Sequence, residues 1–403
     1  MPLRLAAAML LAAPAVLAQH EGHDMQMPGA LGPYPMTREA SGTSWQPDVA
    51  PMEGRHWMGD DWMVMLHGYL DVVYDKQGGP RGDEKALVPG MLMAMAQHAV
   101  GEHGTWGLKA MLSPDPLMGR HGYPLLFQTG ETADGETPLV DRQHPHDAFM
   151  ELATSYSVRL GRGSVFGYLG LPGEPALGPP AFMHRASGMA IPEAPLSHHW
   201  LDSTHITFGV ATLGATWRNL KVEGSAFNGR EPDQHRWNIE TGALDSWSAR
   251  VSYNLGENWS AQLSHGRLQE PEQLEPDEDV ERSTGSVSYS VPLERGLLSL
   301  TFAGGANRVE GEGEAAWLLE GTRLYDRLKL FGRVERLENH HLTGEKAEVG
   351  KLTFGGSYRI AATGRLAFDV GALLSGYEFP RELEPAYGSS PVSGMVFLRT
   401  SIE

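Results

Sequence analysis

The chain has 403 residues and a formal net charge of −18, from 50 acidic and 32 basic residues. So acidic a chain is not expected to bind nucleic acid, which proteins recognise through basic surfaces. The sequence contains no cysteine, which excludes disulfides and thiolate metal sites. Its length suits one large domain or two ordinary ones.

Residues 1–18 have the features of a secretory signal peptide. Arg4 precedes an apolar core that runs from Leu5 to Leu17, and Ala-x-Ala-like sequences end at Ala15 and Ala18. This pattern predicts cleavage after Ala18 and export of the rest of the chain. No later stretch approaches the roughly 18 apolar residues of a membrane-spanning helix, so no helical anchor is expected.

Residues 19–61 are rich in Pro, Gly, Met and His and show no hydrophobic period, which predicts a mobile periplasmic segment. The segment begins with imidazole and thioether side chains, which are ligands of borderline and soft metal ions. These candidate ligands are His20, His23, Met25 and Met27. The alternative is a solvated leader whose histidines bind nothing.

From Trp62 onward, apolar and polar residues alternate with the period of a β-strand. In the first run, Val64 and Leu66 share one face, and Met63 and Met65 share the other. Similar runs of about ten residues, the length of a tilted membrane strand, recur along the chain. The predicted strands cover 62–74, 90–99, 104–112, 148–160, 164–171, 204–215, 220–227, 247–254, 258–266, 282–291, 296–305, 314–322, 328–336, 350–360, 364–374 and 392–401.

The connections between these strands alternate in length. Short ones, such as 161–163 and 255–257, follow long ones, such as 113–147 and 172–203. Outer-membrane barrels have short turns on the periplasmic side, long extracellular loops and an even number of strands. Residues 62–403 are therefore predicted to form an all-β, transmembrane, antiparallel up-and-down barrel of about 14–16 strands in contact with outer-membrane lipid. A secreted all-β protein is the alternative.

Two further features of the predicted barrel follow from its residues. The long loops carry apolar Pro/Gly-rich patches, so we expect them to fold partly into the barrel mouth. Tryptophan and tyrosine residues near strand ends are candidates for an interfacial belt. These are Trp62, Trp106, Trp200, Trp217, Trp247, Tyr253, Trp259, Tyr289 and Tyr358.

Methionines are concentrated on the first two predicted strands. They fall on the face opposite the leucines, together with His67, so they are expected to line the lumen. The methionines are Met63, Met65, Met91, Met93 and Met95. Thioether sulfur suits soft cations such as Cu(I) and Ag(I). The alternative is that methionine simply fills an irregular interior surface, or that the second strand faces the other way.

The stretch 141–147 places two imidazoles and a carboxylate, those of His144, His146 and Asp147, around Pro145. Because proline keeps His144 extended, the two imidazoles can point to one side, where they could bind a cation. Further candidates in the next long loop are His198, His199 and Asp202. The alternative is that these are polar loop residues whose hydrogen bonds are satisfied within the protein.

An enzymatic possibility rests on residues 227–230, Phe-Asn-Gly-Arg, which resemble a segment of outer-membrane phospholipase A. This chain has Ser225-Ala226-Phe227 where that family has His-x-Ser, so the nucleophile and its base are missing there. Only a rearranged pair, such as Ser203 with His205, could serve a hydrolase. We therefore do not expect an enzyme.

The whole mature chain resembles a group of proteobacterial outer-membrane β-barrel proteins, a resemblance that brings no activity with it. It is carried by residues 141–147 (DRQHPHD), 199–205 (HWLDSTH) and 227–233 (FNGREPD). The leader, over 20–27, is also similar in composition to copper-resistance B proteins, which are outer-membrane barrels with His/Met-rich N-termini. That likeness implies a role linked to copper.

The leading hypothesis is therefore an outer-membrane barrel of a Gram-negative bacterium that binds or passes soft metal ions, copper first, in metal homeostasis or tolerance. The alternative is a passive diffusion porin for small polar solutes. An outer-membrane lipid hydrolase is the third hypothesis. The expected partners are lipid and small ions or solutes, and nothing in the sequence identifies a protein partner.

Overall fold

The computed structural model describes residues 27–342 and 346–403. The predicted signal peptide and the candidate ligands His20, His23 and Met25 lie outside these residues. No helix among the described residues is long and apolar enough to cross a membrane.

Sixteen long antiparallel strands form a closed barrel, which confirms the predicted architecture. Their bounds are β2 (Trp62–Lys76), β4 (Gly90–Val100), β5 (Gly104–Leu112), β8 (Phe149–Leu160), β9 (Gly163–Gly170), β10 (Val210–Trp217), β11 (Leu220–Phe227), β12 (Ser246–Leu255), β13 (Trp259–Leu268), β14 (Val280–Leu293), β15 (Gly296–Val309), β16 (Glu312–Tyr325), β17 (Leu328–Asn339), β18 (Ala347–Ala362), β19 (Leu366–Glu378) and β20 (Val392–Ile402). The barrel closes where β20 pairs with β2, from Tyr69 opposite Ser401 to Lys76 opposite Gly394. Closure matters because it leaves no backbone edge unpaired in lipid.

The remaining elements are short. They are β1 (Arg55–Met58), β3 (Glu84–Leu87), β6 (Tyr123–Thr132), β7 (Pro138–Gln143), α1 (His198–Leu201) and α2 (Glu384–Tyr387). Strands β1 and β3 pair with the two ends of β2, whereas β6 and β7 form a separate hairpin in the loop after β5. The loop after β5 therefore contains a β-hairpin of its own.

The outward face of the barrel is apolar. Leu213, Leu263 and Phe354 are 76 %, 71 % and 63 % exposed, which would be unfavourable in water but is normal against lipid. An aromatic belt surrounds the end that carries the short turns; its members include Trp62, Trp106, Trp217, Tyr253, Trp259 and Tyr358. Trp200 does not belong to this belt, because α1 holds it buried inside the barrel.

The segment 27–50 lies inside the barrel and is mostly buried. We call it the N-terminal plug. Wall side chains bind its backbone: Ser157 Oγ donates to the carbonyl of Ala30 (2.7 Å), and Lys109 Nζ donates to that of Gly42 (2.6 Å). Within the plug, Arg38 pairs with Asp48 at 2.7 Å.

The buried plug departs from the prediction of a mobile periplasmic segment over 19–61. The composition that suggested mobility, rich in polar residues, Pro and Gly, is also suited to a polar lumen. There the wall supplies hydrogen-bond partners that the segment cannot make for itself.

Two long loops fill much of the remaining lumen, as expected for loops of this length. The first long loop covers residues 113–148 and the second covers 171–209. Charged wall residues hold the second loop in place: Glu320 pairs with Arg185 at 2.7 Å, and Glu335 accepts a hydrogen bond from Ser197 at 2.9 Å. The lumen wall is therefore in contact with the plug and the two loops as well as with solvent.

Candidate metal centre

Three histidines from the two long loops meet inside the barrel. One ring nitrogen of each of His146, His198 and His205 lies within 4.8 Å of the other two. All three residues are buried, with relative exposures of 8 %, 0 % and 5 %. We call this group the tri-histidine site. Imidazole is the commonest protein ligand of transition metals such as zinc, copper, iron and nickel.

His146 reaches the site from the end of the first long loop. Its Nδ1 donates to Oδ2 of Asp115 at 2.7 Å, and its backbone N–H points to the same oxygen at 3.4 Å. Asp115 stands at the start of the same loop, in a 3₁₀ helix that directly follows β5. The two ends of the first long loop therefore fix the orientation of this ring.

His198 and His205 come from the second long loop and share one partner, Asp202. His198 Nδ1 donates to Oδ1 of Asp202, and His205 Nδ1 donates to its backbone carbonyl, both at 2.8 Å. Arg185 donates to the other carboxylate oxygen at 2.6 Å. Burial by itself would raise the pKa of Asp202, but Arg185 and His198 hold it below its usual range. Asp202 thus orients two imidazole rings, one through its carboxylate and the other through its backbone carbonyl.

Each Nδ1 faces an atom that can only accept, so each Nδ1 carries a proton, and in the neutral form of such a ring Nε2 is the bare nitrogen. Among the described residues, the Nε2 atoms of His146, His198 and His205 are buried and have no hydrogen-bond partner. Burial, followed by the neighbouring His198 and His146, lowers the pKa of His205 well below its usual range. Imidazoles oriented by Nδ1 hydrogen bonds to carboxylates or backbone carbonyls are the usual arrangement of histidine metal sites.

The predicted methionine face also lies inside the barrel. The five methionines that were predicted to face the lumen, Met63, Met65, Met91, Met93 and Met95, are all buried, and their neighbours Val64 and Leu92 face outward. Six further methionines join them from the plug, the second long loop and other positions: Met27, Met36, Met52, Met111, Met150 and Met183. We call these eleven residues the methionine cluster.

The methionine cluster adjoins the tri-histidine site. Phe182 packs in the same apolar cluster as the methionines, and its ring centroid lies 5.4 Å from that of His198. Two more imidazoles border the methionines: His184 Nε2 lies 3.3 Å from the sulfur of Met111, and the rings of His67 and His184 are 6.3 Å apart. Imidazole and thioether ligands therefore occupy one continuous region of the lumen.

The other predicted ligands have different surroundings. His144 lies beside the site, 6.5 Å from the ring of His146, but its Nδ1 faces Glu131 at 3.2 Å. Asp147 lies outside the tri-histidine site, and its Oδ2 pairs with Arg236 at 3.2 Å. The ring of His199 points to a separate group with Glu231 and Glu272.

Sequence reasoning did not identify His205 as a ligand, because its alternating pattern extended a strand over 204–215. The strand begins at Val210, and residues 203–205 form a 3₁₀ turn in the lumen. The sequence did not indicate that Asp115 orients His146, because the two residues are 31 positions apart. Among the described residues, Ser203 and His205 share no hydrogen bond; Ser203 Oγ accepts one from Arg282 at 2.8 Å.

Solved structures with a similar fold are outer-membrane barrels. OprB of Pseudomonas putida is 10% identical, with a TM-score of 0.54, and the match covers 85% of this chain and 94% of that one. OmpF of Salmonella typhi is 11% identical, with a TM-score of 0.53 and coverages of 86% and 100%. An anion-selective porin from Comamonas acidovorans is 12% identical, with a TM-score of 0.50 and coverages of 85% and 100%.

No protein-family model and no curated protein matches the chain. The solved structures establish the fold, a closed outer-membrane type of β-barrel. This fold, the apolar outer face and the aromatic belt place the protein in the outer membrane of a Gram-negative bacterium.

Proposed function

We propose that this outer-membrane barrel binds transition-metal ions inside its lumen, and that copper is its preferred ion. The observation that carries the proposal is the convergence of three buried Nε2 atoms without hydrogen-bond partners. Buried polar atoms are normally satisfied, so three orphaned acceptors at one point need a common partner. A metal ion would be that partner, and it would bind the three rings in the orientation that Asp115 and Asp202 impose.

The preference for copper follows from the two kinds of ligand. Imidazole suits Cu(II) together with zinc, nickel and iron, whereas thioether sulfur selects Cu(I). Copper alone among these metals has common oxidation states that match both the tri-histidine site and the methionine cluster. Weak sites in series suit passage as well as storage, because conduction needs binding that also releases the ion. A role in metal homeostasis or tolerance follows from this proposal.

Copper titration of the purified, chelator-treated barrel tests the proposal. The wild type is expected to bind Cu(II) with an electron paramagnetic resonance signal that shows coupling to imidazole nitrogens. His146→Ala/His198→Ala should abolish the coupling to three imidazole nitrogens, because only one of the three rings remains. His103→Ala, in the exposed turn between β4 and β5, is the matched control. Absence of binding by the wild type in a competition titration contradicts the proposal.

Passive diffusion of small solutes is the second candidate function, and the barrel fold that the chain shares with porins favours it. The wall charges fit such a role only in part, because many are occupied by the plug and the loops. Lys221 and Glu223, for example, are fully buried and pair at 2.8 Å. In planar bilayers, a large conductance that does not change when copper is added would support diffusion.

We propose that the protein is not an enzyme. The serine and histidine that the sequence offers for a rearranged pair have other partners: Ser203 accepts a hydrogen bond from Arg282, and His205 donates to Asp202. A general base must reach its nucleophile before it can activate it. Hydrolysis of phospholipid by the wild type, and its loss in Ser203→Ala, would overturn this proposal.

A further inference from the structure

A second group of potential ligands lies next to the tri-histidine site. Ligand atoms of His199, Glu231 and Glu272 all lie within 4.8 Å of one another. His199 is 7 % exposed and Glu231 is 9 % exposed. Both ring nitrogens of His199 and both carboxylate oxygens of Glu231 are buried without a hydrogen-bond partner in the part of the chain that the structure describes. His199 and Glu231 thus each bring an unpartnered ligand atom to one point.

Internal contacts do not explain this arrangement. The nearest approach of His199 Nδ1 to Glu231 Oε2 is 3.9 Å, which is too long for a hydrogen bond. The buried guanidinium of Arg282 donates to Asn307 at 2.9 Å and to Ser203 at 2.8 Å. No lysine or arginine of residues 27–342 and 346–403 forms an ion pair with either carboxylate.

The charge balance of this group favours a cation. Glu231 is buried and Glu272 is half-buried, so neither carboxylate is fully compensated by solvent. Another basic residue of the neighbourhood, Arg236, is already paired with Glu131 and with Asp147. The positive charge of Arg282 acts on both carboxylates without forming an ion pair with either, and a divalent ion would neutralise the negative charge that remains.

The three residues come from three different loops. His199 lies on α1 in the second long loop, Glu231 lies between β11 and β12, and Glu272 lies between β13 and β14. The last two loops are already tied together, because the N–H of Glu231 donates to the carbonyl of Pro271 at 3.0 Å. A cation bound here would therefore join loops that form the mouth of the barrel.

We propose that His199, Glu231 and Glu272 bind a second divalent cation, and that this outer site delivers ions to the tri-histidine site. The delivery step rests on the function proposed above. The ligand set of one imidazole and two carboxylates suits first-row divalent ions such as Cu(II) and Zn(II), and it discriminates against Cu(I).

The positions of the two sites support delivery from the outer site to the tri-histidine site. His198 and His199 are consecutive on α1, with ring centroids 5.5 Å apart, and one belongs to each site. His144 offers a second connection, since its ring lies 5.4 Å from that of His199 and 6.5 Å from that of His146. Glu272 is half-buried whereas every ligand of the tri-histidine site is buried, so an ion from outside meets the outer site first.

The stoichiometry of Cu(II) binding to the detergent-solubilised full-length barrel tests the outer site. The wild type is expected to bind one Cu(II) at each site, two in all. Glu231→Gln/Glu272→Gln should bind one fewer and keep the signal of three nitrogen ligands. The matched control is Glu270→Gln, which changes an exposed carboxylate on the same loop as Glu272.

The rate of loading tests delivery. Filling of the tri-histidine site after rapid mixing with Cu(II) should slow at least tenfold in Glu231→Gln/Glu272→Gln, while its equilibrium affinity stays within about threefold of the wild type. An unchanged stoichiometry in this variant overturns the outer site. A reduced stoichiometry with an unchanged loading rate overturns delivery.

The same titrations separate this inference from the proposed function. If His146→Ala/His198→Ala binds as much Cu(II) as the wild type, the proposed tri-histidine site is wrong and delivery fails with it. If at the same time Glu231→Gln/Glu272→Gln still loses one ion, the outer site stands by itself. Heat-dependent gel mobility of each variant verifies that the barrel has folded.

Discussion

Replacement of Asp115 by alanine should weaken Cu(II) binding without touching a ligand. Asp115 accepts the Nδ1 proton of His146 at 2.7 Å, and the two side chains are only 6 % and 10 % exposed. The hydrogen bond is therefore charge-assisted and little screened by water. Without it, the ring can rotate or carry its proton on Nε2, where it cannot bind metal. We expect affinity to fall about 10- to 100-fold, or about 1.4–2.7 kcal/mol.

Affinity is measured by titration of the metal-free barrel with Cu(II) against a chelator of known affinity. Asp115→Asn is the informative companion, because its amide oxygen still accepts the Nδ1 proton but carries no charge; its loss should be smaller than that of Asp115→Ala. Asp277→Ala, at an exposed position of another loop, is the matched control. An affinity of Asp115→Ala within about twofold of the wild type, in a variant of unchanged thermal stability, refutes the reasoning.

Three further predictions concern other parts of the lumen. Met63→Leu/Met65→Leu/Met93→Leu should lose binding of Cu(I) or Ag(I) but keep binding of Cu(II), as measured by competition with a Cu(I)-specific chelator; loss of both ions would show a general collapse of the lumen. Deletion of the plug, residues 27–50, should raise single-channel conductance in planar bilayers, because it vacates part of the lumen; an unchanged conductance would show that the loops close the barrel by themselves. Burial raises the pKa of Glu174 to about 7, so the folded protein holds a proton that the unfolded chain has already released above pH 4.5. Stability should therefore fall as pH rises from 4.5 to 7, by about 1.4 kcal/mol per pH unit for this group, and urea unfolding of Glu174→Gln should lack this slope.

Much of the barrel could be predicted from local sequence. Every predicted strand corresponds to one of the sixteen barrel strands, because alternation of side chains between lipid and lumen is a property of neighbouring residues. The same logic placed Met63 and Met93 inside. It failed at 204–205, where the chain continues to alternate although it turns in the lumen. Alternation of apolar and polar residues cannot distinguish a barrel strand from a loop in the lumen that has a polar wall on one side.

The plug shows a second limit of sequence reasoning. Its residues lack a hydrophobic period, which is normal for a mobile segment and also for a segment whose partners lie elsewhere. Thr43, for example, donates to Glu223 at 2.6 Å, across 180 residues of sequence. Only the closed barrel provides such partners, so composition by itself could not distinguish the two states.

The sequence by itself determined that this protein is a membrane β-barrel with methionines on its inner wall, because the alternation of side chains between lipid and lumen is a property of neighbouring residues. The tertiary structure alone decided which histidines meet. His146 and His205 belong to different loops and become neighbours, with rings 5.1 Å apart, only when both loops enter the barrel. It also decided their chemistry, since the hydrogen bonds that leave each Nε2 free come from Asp115 and Asp202 within the folded lumen. A metal site of this kind depends on distances between distant segments, and those distances exist only once the barrel has closed around its loops.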